Sequence, residues 1–149
     1  MPELSRILAA TEPLTLSSLP RGAVPMVLSD LARAAKRRAV FIAADDASMR
    51  SIAEAARFFA PEVEVLEFPA WDCLPYDRAS PALSISAVRL SSLFKLQHPA
   101  AGSQLLVTTV NAALQRVLTP FRIRENARGF KPGVTIGHDS LAALLTRQG

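Results

Sequence analysis

Residues 67–81 read EFPAWDCLPYDRASP, and the rest of the chain is arranged around this stretch. It contains the only tryptophan, the only tyrosine and the only cysteine of the protein. Three of its residues are prolines, which interrupt helices and strands, and bulky aromatic side chains stand between them. Because a flexible linker is rich in glycine and serine instead, we predict an ordered and packed loop.

Strands and helices alternate on both sides of this loop. Residues 63–68 alternate as a strand does, and Pro81 opens a helix that runs to about Gln97. Further strands are predicted at residues 14–17, 38–44 and 104–109, and further helices at residues 4–10, 23–36, 47–60 and 110–118. Strands that alternate with helices form βαβ units, so the sequence predicts an α/β fold with a parallel sheet and helices on both faces. The loop then lies beyond the carboxyl end of a strand, where α/β proteins place functional loops.

The character of the sequence changes after Pro120. Residues 121–125 alternate like a strand with one wet face, and Asp139 or Ser140 can cap a last helix over residues 141–147. We therefore predict one α/β subdomain over residues 1–120 and the start of a second, truncated subdomain over residues 121–149.

Composition limits the class of protein. Half of the residues are hydrophobic, which allows a sizeable core. No apolar run approaches the ~20 residues of a membrane span, and no secretory signal is visible, so we expect no membrane partner and a cytoplasmic location. A single cysteine excludes an internal disulfide and a cysteine-based zinc site. Neither His98 nor His138 has a second ligand at metal-binding spacing, so no metal is expected.

The net positive charge lies in the second half of the chain, because acidic residues are nearly absent there. From Arg78 to His138 the only acidic residue is Glu125. The cations of this basic half are Arg78, Arg89, Lys95, Arg116, Arg122, Arg124, Arg128 and Lys131. They fit either a solubilising surface or contact with a polyanion, and the first interpretation is favoured because no aromatic ladder accompanies them. A small nucleic-acid-binding domain that uses the basic half is the alternative function.

The position of a phosphate loop is present, but its chemistry is missing. A phosphate loop needs glycines, a lysine and a serine or threonine after the first strand of a nucleotide-binding domain. The corresponding residues are Ser17, Ser18, Arg21, Gly22 and Ala23, with Val24 after them and no lysine. Residues 104–109 likewise end in Thr108 and Thr109, which more often cap a helix, rather than in a magnesium-binding acid. We predict a degenerate phosphate loop, no cofactor for this chain and no catalytic residue.

Two interpretations of the aromatic loop remain open. In the first, Phe68, Trp71, Leu74 and Tyr76 plug the end of the sheet, and in the second they form a docking surface for a partner. Cys73 stands beside Asp72 and is expected to be a structural or incidental cysteine rather than a nucleophile. The carboxylates of the loop, Asp72 and Asp77, are expected to cap a helix or to pair with Arg78 or Arg89.

Residues 68–77, the dipeptide Ser80-Pro81 and residues 86–93 resemble the N-terminal module of bacterial transcription-repair coupling factors (the Mfd family). The family pattern is close to F-P-x-W-[DE]-x-L-P-Y-[DE]-x-x-S-P, followed by an R-L-x-x-L helix. Residues 107–117 resemble the strand and helix that come next. The family-motif residues, which are candidates for interaction, are Trp71, Asp72, Pro75, Tyr76, Asp77 and Arg89.

The resemblance implies a UvrB-like module with a RecA-like (P-loop NTPase-like) core and a degenerate phosphate loop. It implies a parent that is an ATP-dependent DNA translocase, with ATP and magnesium bound in a downstream motor. Such a parent displaces stalled RNA polymerase and recruits nucleotide excision repair through UvrA. The UvrA-binding surface belongs to the second subdomain, so this chain should lack most of it. The resemblance therefore implies a non-catalytic interaction module.

Overall fold

The computed structural model describes residues 4–74, 76, 78–100, 102–127, 129–130 and 132–148. Its helices are α1 (Leu4–Leu8), α2 (Val24–Ala35), α3 (Asp46–Phe59), α4 (Leu83–Leu96), α5 (Val110–Leu114), α6 (Pro120–Asn126) and α7 (His138–Gln148). The strands are β1 (Arg38–Ala43), β2 (Glu64–Phe68) and β3 (Gln104–Thr109), and a 3-10 turn (Arg21–Ala23) precedes α2. The chain forms two compact units, residues 1–116 and 117–149. The assignment of the second unit as an inserted subdomain that starts at residue 121 stays a prediction.

The three strands form a parallel sheet in the order β1-β3-β2. Helices connect the strands along the chain, as parallel pairing requires. The predicted α/β fold with a parallel sheet is confirmed, and the sheet is compatible with a RecA-like core.

Helices cover both faces of the sheet, but not equally. On one face α2 and α3 pack closely, because the contact is made by small side chains such as Ala32, Ala53 and Ala56. On the other face α4 lies over β2 and buries Leu66 and Phe68. The β1 side chains on that second face, Val40 and Ile42, remain 56% and 54% exposed.

A polar network holds the amino ends of the three strands in register. The register places Arg38, Gln104 and Glu64 side by side. Arg38 donates to the side-chain oxygen of Gln104, and Gln104 Nε2 donates to Glu64 Oε2 at 2.7 Å. Lys95 of α4 closes the network at 2.7 Å from Glu64 Oε1, and its hydrogen bond is the main cause that lowers the pKa of Glu64.

Two predicted strands do not form. Residues 14–17 pair with no strand of the described sheet, Leu14 and Leu16 stay 49% and 43% exposed, and Ser18 turns the backbone into the left-handed region at φ 60°. An alternation of polar and apolar residues does not by itself form a strand unless the segment also pairs with the edge of a sheet. Residues 121–125 are helical in α6, because Thr119 Oγ1 accepts the amide of Arg122 at 3.4 Å and Pro120 stands in the first turn.

Two predicted helix bounds also shift. Helix α5 ends at Leu114 rather than at residue 118, because Gln115 adopts an extended backbone with ψ 143°. Helix α7 begins at His138, so Asp139 lies in its first turn rather than before it. The earlier end of α5 matters for the site, because Gln115 lies outside the helix and its side chain reaches Trp71 and Arg89.

Candidate functional site

Arg89 stands at the centre of the structured part of the aromatic loop. Its side chain projects from the buried side of α4 and is 1% exposed. The guanidinium carbon lies 4.1 Å from the ring centroid of Phe68 and 4.3 Å from that of Trp71. Both rings therefore stack on one cation, which is a favourable arrangement for a planar guanidinium.

The hydrogen bonds of Arg89 go to neutral oxygens. Its Nη1 donates to the carbonyl of Pro69 and, at 3.2 Å, to Gln115 Oε1. Among the described residues no carboxylate pairs with Arg89, and its buried Nε has no hydrogen-bond partner. Burial consequently lowers the pKa of Arg89 from its ordinary value. An arginine in this position organises the loop rather than supplying an ion pair.

Three further hydrogen-bonded contacts fix the ends of the loop. Thr108 Oγ1 donates to the carbonyl of Phe68 at 2.8 Å, and the amide of Trp71 donates to Gln115 Oε1 at 2.9 Å. The carboxylate of Asp72 accepts the amide of Ala82, just before α4, at 3.2 and 3.3 Å. The backbone is thus attached to β3, to the end of α5 and to the start of α4.

The tip of the loop points away from the sheet. Leu74 is 70% exposed and Tyr76 is 96% exposed, whereas Phe68 is buried and Trp71 is partly buried. The plug interpretation is therefore wrong for Leu74 and Tyr76 and holds only for the two rings that contact Arg89. Pro75 and Asp77 lie outside the described residues.

A groove of about 830 Å³ separates the loop from the end of α5. We call it the loop groove. It is lined by Trp71, Cys73, Leu74, Tyr76, Ala79, Ser80, Pro81, Leu114, Gln115 and Arg116. The structure thus brings Trp71 and Tyr76 to one groove, places Asp72 and Arg89 behind it as supports, and keeps the thiol of Cys73 unpaired by any disulfide.

The residues at the phosphate-loop position form no phosphate cradle in the described structure. Residues 17–20 are irregular, and Arg21, Gly22 and Ala23 form the 3-10 turn that leads into α2. Helix α2 has no side-chain cap, and Pro25 in its first turn lacks an amide hydrogen. Of the predicted residues Ser17, Ser18, Arg21, Gly22 and Ala23, only Arg21 lines the nearby cavity of about 610 Å³ at the carboxyl end of β1.

A carboxylate occupies the place in that cavity where an anion would bind. Asp45 accepts the amide of Ser48 at 2.7 Å and so caps α3. Hydrogen bonds from Ser48 are the main cause that lowers the pKa of Asp45, and the charge of Arg21 adds to the effect. A phosphate at this end of α3 would meet a negative charge instead of free amides.

The end of β3 has a structural role of the kind that we predicted. Thr109 Oγ1 accepts the amide of Ala112 at 3.2 Å and caps α5. Thr108 holds the loop through the Phe68 carbonyl. No group of three potential metal ligands occurs among the described residues, and none of their helices is long and apolar enough to cross a membrane.

Several cations of the basic half are buried or paired in the described residues. Arg89 is buried, Lys95 pairs with Glu64 at 2.7 Å, and Arg122 lies 3.8 Å from Glu125. Arg78 and Arg116 are exposed, and no described carboxylate pairs with either of them. Arg128 and Lys131 lie outside the described residues.

Gln115 is the functional residue that sequence reasoning missed. One side-chain oxygen accepts both the amide of Trp71 and Nη1 of Arg89. No local pattern announces such a role, because Gln115 is 44 residues from Trp71 and 26 from Arg89. Its place just after α5 is the one signal that could have drawn attention to it.

Known proteins that resemble this chain share one description. No family model matches the sequence. The chain is similar to the transcription-repair-coupling factors of Haemophilus influenzae (28% identity, 86% of this chain), Escherichia coli (28%, 100%) and Myxococcus xanthus (33%, 83%). It spans only 11–13% of the length of these relatives. The predicted resemblance is confirmed.

Proposed function

We propose that this chain, which is similar to transcription-repair-coupling factors over most of its length, is a non-catalytic interaction module of a longer protein of that kind. The longer protein would be an ATP-driven DNA translocase that removes stalled RNA polymerase and recruits excision repair through UvrA. Its ATP and magnesium would be bound in a motor outside these residues, and it would work in the cytoplasm. This chain supplies a RecA-like frame and a presented loop.

One observation carries the non-catalytic part of the proposal. The cavity at the carboxyl end of β1 holds the Asp45 carboxylate where a nucleotide-binding site needs free amides and positive charge. The adjoining turn contributes one glycine and no lysine, and β3 ends in hydroxyls that serve as a cap and a tether. These features support a frame that has kept the sheet but not the phosphate chemistry.

The interaction part of the proposal is supported by the loop. Its base is held by hydrogen bonds to Thr108, Gln115 and Arg89, while Leu74 and Tyr76 are exposed. Exposed apolar side chains that cluster on one surface mark interaction sites, and tyrosine is among the residues that often anchor them. Nucleic-acid binding through the basic half has less support, because several of its cations are buried or paired.

Nucleotide titration tests the first part. Isothermal calorimetry of the full chain with ATP and magnesium should give no binding heat, and phosphate release should equal that of buffer. Binding in the micromolar range that is lost in Arg21→Ala and kept in Arg50→Ala, an exposed cation of α3, would overturn the degenerate-loop claim.

A chimera tests the second part. In the Escherichia coli relative, the segment that aligns with this chain is deleted in one variant and replaced by this chain in another. We expect both proteins to hydrolyse ATP and only the replacement to support preferential repair of the transcribed strand. Loss of ATP hydrolysis on deletion, or full repair without the segment, would contradict the proposed role.

A further inference from the structure

We propose that the loop groove binds an acidic peptide segment of a partner protein, with an apolar side chain of that peptide as its anchor. This inference rests on the proposed interaction role and adds the chemistry of the partner. It is carried by the rigidity of the groove, by its exposed apolar side chains and by its charge.

The groove is preorganised. One wall is the loop, which is held through backbone groups of Phe68, Pro69 and Trp71 and through the carboxylate of Asp72. The opposite wall is the end of α5, and Gln115 joins the two walls by its bond to the Trp71 amide. A site that is already ordered loses little conformational entropy when a ligand binds.

Three exposed apolar side chains line this one groove. Leu74 is 70% exposed, Tyr76 is 96% exposed and Leu114 of α5 is 81% exposed. Exposed apolar side chains that cluster around a concavity mark binding surfaces, and tyrosine is among the residues that most often anchor them. The volume of about 830 Å³ lies within the range of pockets that enclose a ligand group.

The charge of the groove selects an acidic ligand. Among the described lining residues the only charged one is Arg116, and Arg78 stands exposed on the same loop. Of the described carboxylates in residues 67–81, Glu67 pairs with Arg57 at 2.7 Å and Asp72 accepts the amide of Ala82. A carboxylate of the partner beside the apolar anchor would therefore meet positive charge that no described carboxylate of this chain neutralises.

The aromatic geometry favours a peptide over single-stranded nucleic acid. A strand of bases needs successive free ring faces and a track of cations. Arg89 stacks on one face of Trp71, which is partly buried, so Tyr76 is the one fully exposed aromatic of the described lining. One apolar anchor and one or two carboxylates match this groove better.

Peptide selection tests the inference. Random twelve-residue peptides displayed on phage are panned against the full chain and counter-selected on Tyr76→Ala/Arg116→Glu, which alters exposed side chains only. We expect enriched peptides that carry leucine, phenylalanine or tryptophan next to aspartate or glutamate. A labelled enriched peptide should bind Arg116→Glu about tenfold more weakly, because an attractive pair becomes a repulsive one, and Arg50→Glu equally well.

Three results would overturn the inference: no enrichment over the double variant, a lysine- or arginine-rich consensus, or binding that Arg116→Glu leaves unchanged. Tighter binding of a labelled twelve-nucleotide oligothymidine than of any peptide, weakening steeply with salt, would assign the groove to nucleic acid instead. The chimera tests the interaction role without reference to this groove, so any of these results together with repair by the chimera would reject the groove and keep the proposed function.

Discussion

Replacement of Arg89 is the sharpest perturbation of this structure. The side chain is 1% exposed, stacks on two rings and donates to Pro69 and Gln115. Arg89→Ala removes all of these contacts, whereas Arg89→Met keeps an unbranched apolar chain and loses only the charge and the donors. Comparing the two variants separates the effect of losing buried side-chain volume from the effect of losing the charge and the hydrogen bonds that hold the loop.

The change in the free energy of unfolding of these variants is the sum of opposing contributions. A buried carbonyl left without its donor costs about 1–3 kcal/mol, and each ring contact contributes about 0.5–2 kcal/mol. Against this, a buried cation without a carboxylate carries a desolvation cost of a few kcal/mol, which both variants remove. We expect a net loss in the free energy of unfolding of about 3 kcal/mol for Arg89→Ala, where a cavity adds to the loss, and about 1 kcal/mol for Arg89→Met.

Urea unfolding followed by the fluorescence of Trp71 measures both effects, since Trp71 is the only tryptophan. The emission of both native variants should shift to the red, because the ring loses its stacked cation and becomes wetter. Arg50→Met, an exposed site on α3, is the matched control and should change neither quantity. An Arg89→Ala protein within about 0.5 kcal/mol of the parent, with unchanged emission, would refute the assignment of Arg89 as the organiser of the loop.

Three further changes have defined outcomes. Thr108→Val removes the 2.8 Å bond to the Phe68 carbonyl and should lower the free energy of unfolding by about 1–2 kcal/mol in urea, with Thr108→Ser as the control that keeps the donor. Tyr76→Ala should leave that free energy within about 0.5 kcal/mol, because the ring is 96% exposed, and a larger loss would revive the plug interpretation. The pKa of Glu64 is lowered in the folded state by Lys95, so its contribution to stability is present above its unfolded-state pKa and is lost as pH falls through the folded-state pKa. Urea midpoints measured from pH 6 down to pH 3 should therefore fall less for Glu64→Gln than for the parent. The difference should be small, because both side chains of the pair are about half exposed. An equal fall of the midpoint in both proteins would contradict a stabilising role of the Glu64–Lys95 pair.

Local signals in the sequence predicted much of the fold, with identifiable failures. The α/β class and the parallel sheet follow from patterns that span a few residues. The strand predicted at residues 121–125 is wrong because two local signals compete there: their alternation suits a strand, whereas Thr119 and Pro120 are a helix start. The start signal prevailed, since a short alternating run without a sheet edge gains no pairing.

The aromatic loop at residues 67–81 shows clearly which features the sequence predicts and which only the tertiary structure decides. The sequence by itself predicted an ordered loop, pointed to a family and showed that no phosphate-loop motif stands nearby, because residue type and short spacing suffice for these conclusions. Only the tertiary structure decided that Arg89 stacks on Phe68 and Trp71 and that Gln115 accepts hydrogen bonds from both Trp71 and Arg89. It also decided that Tyr76 is exposed to water. The partners in these contacts are 18 to 44 residues apart, and the sheet and α4 bring them together without any mark in the local sequence.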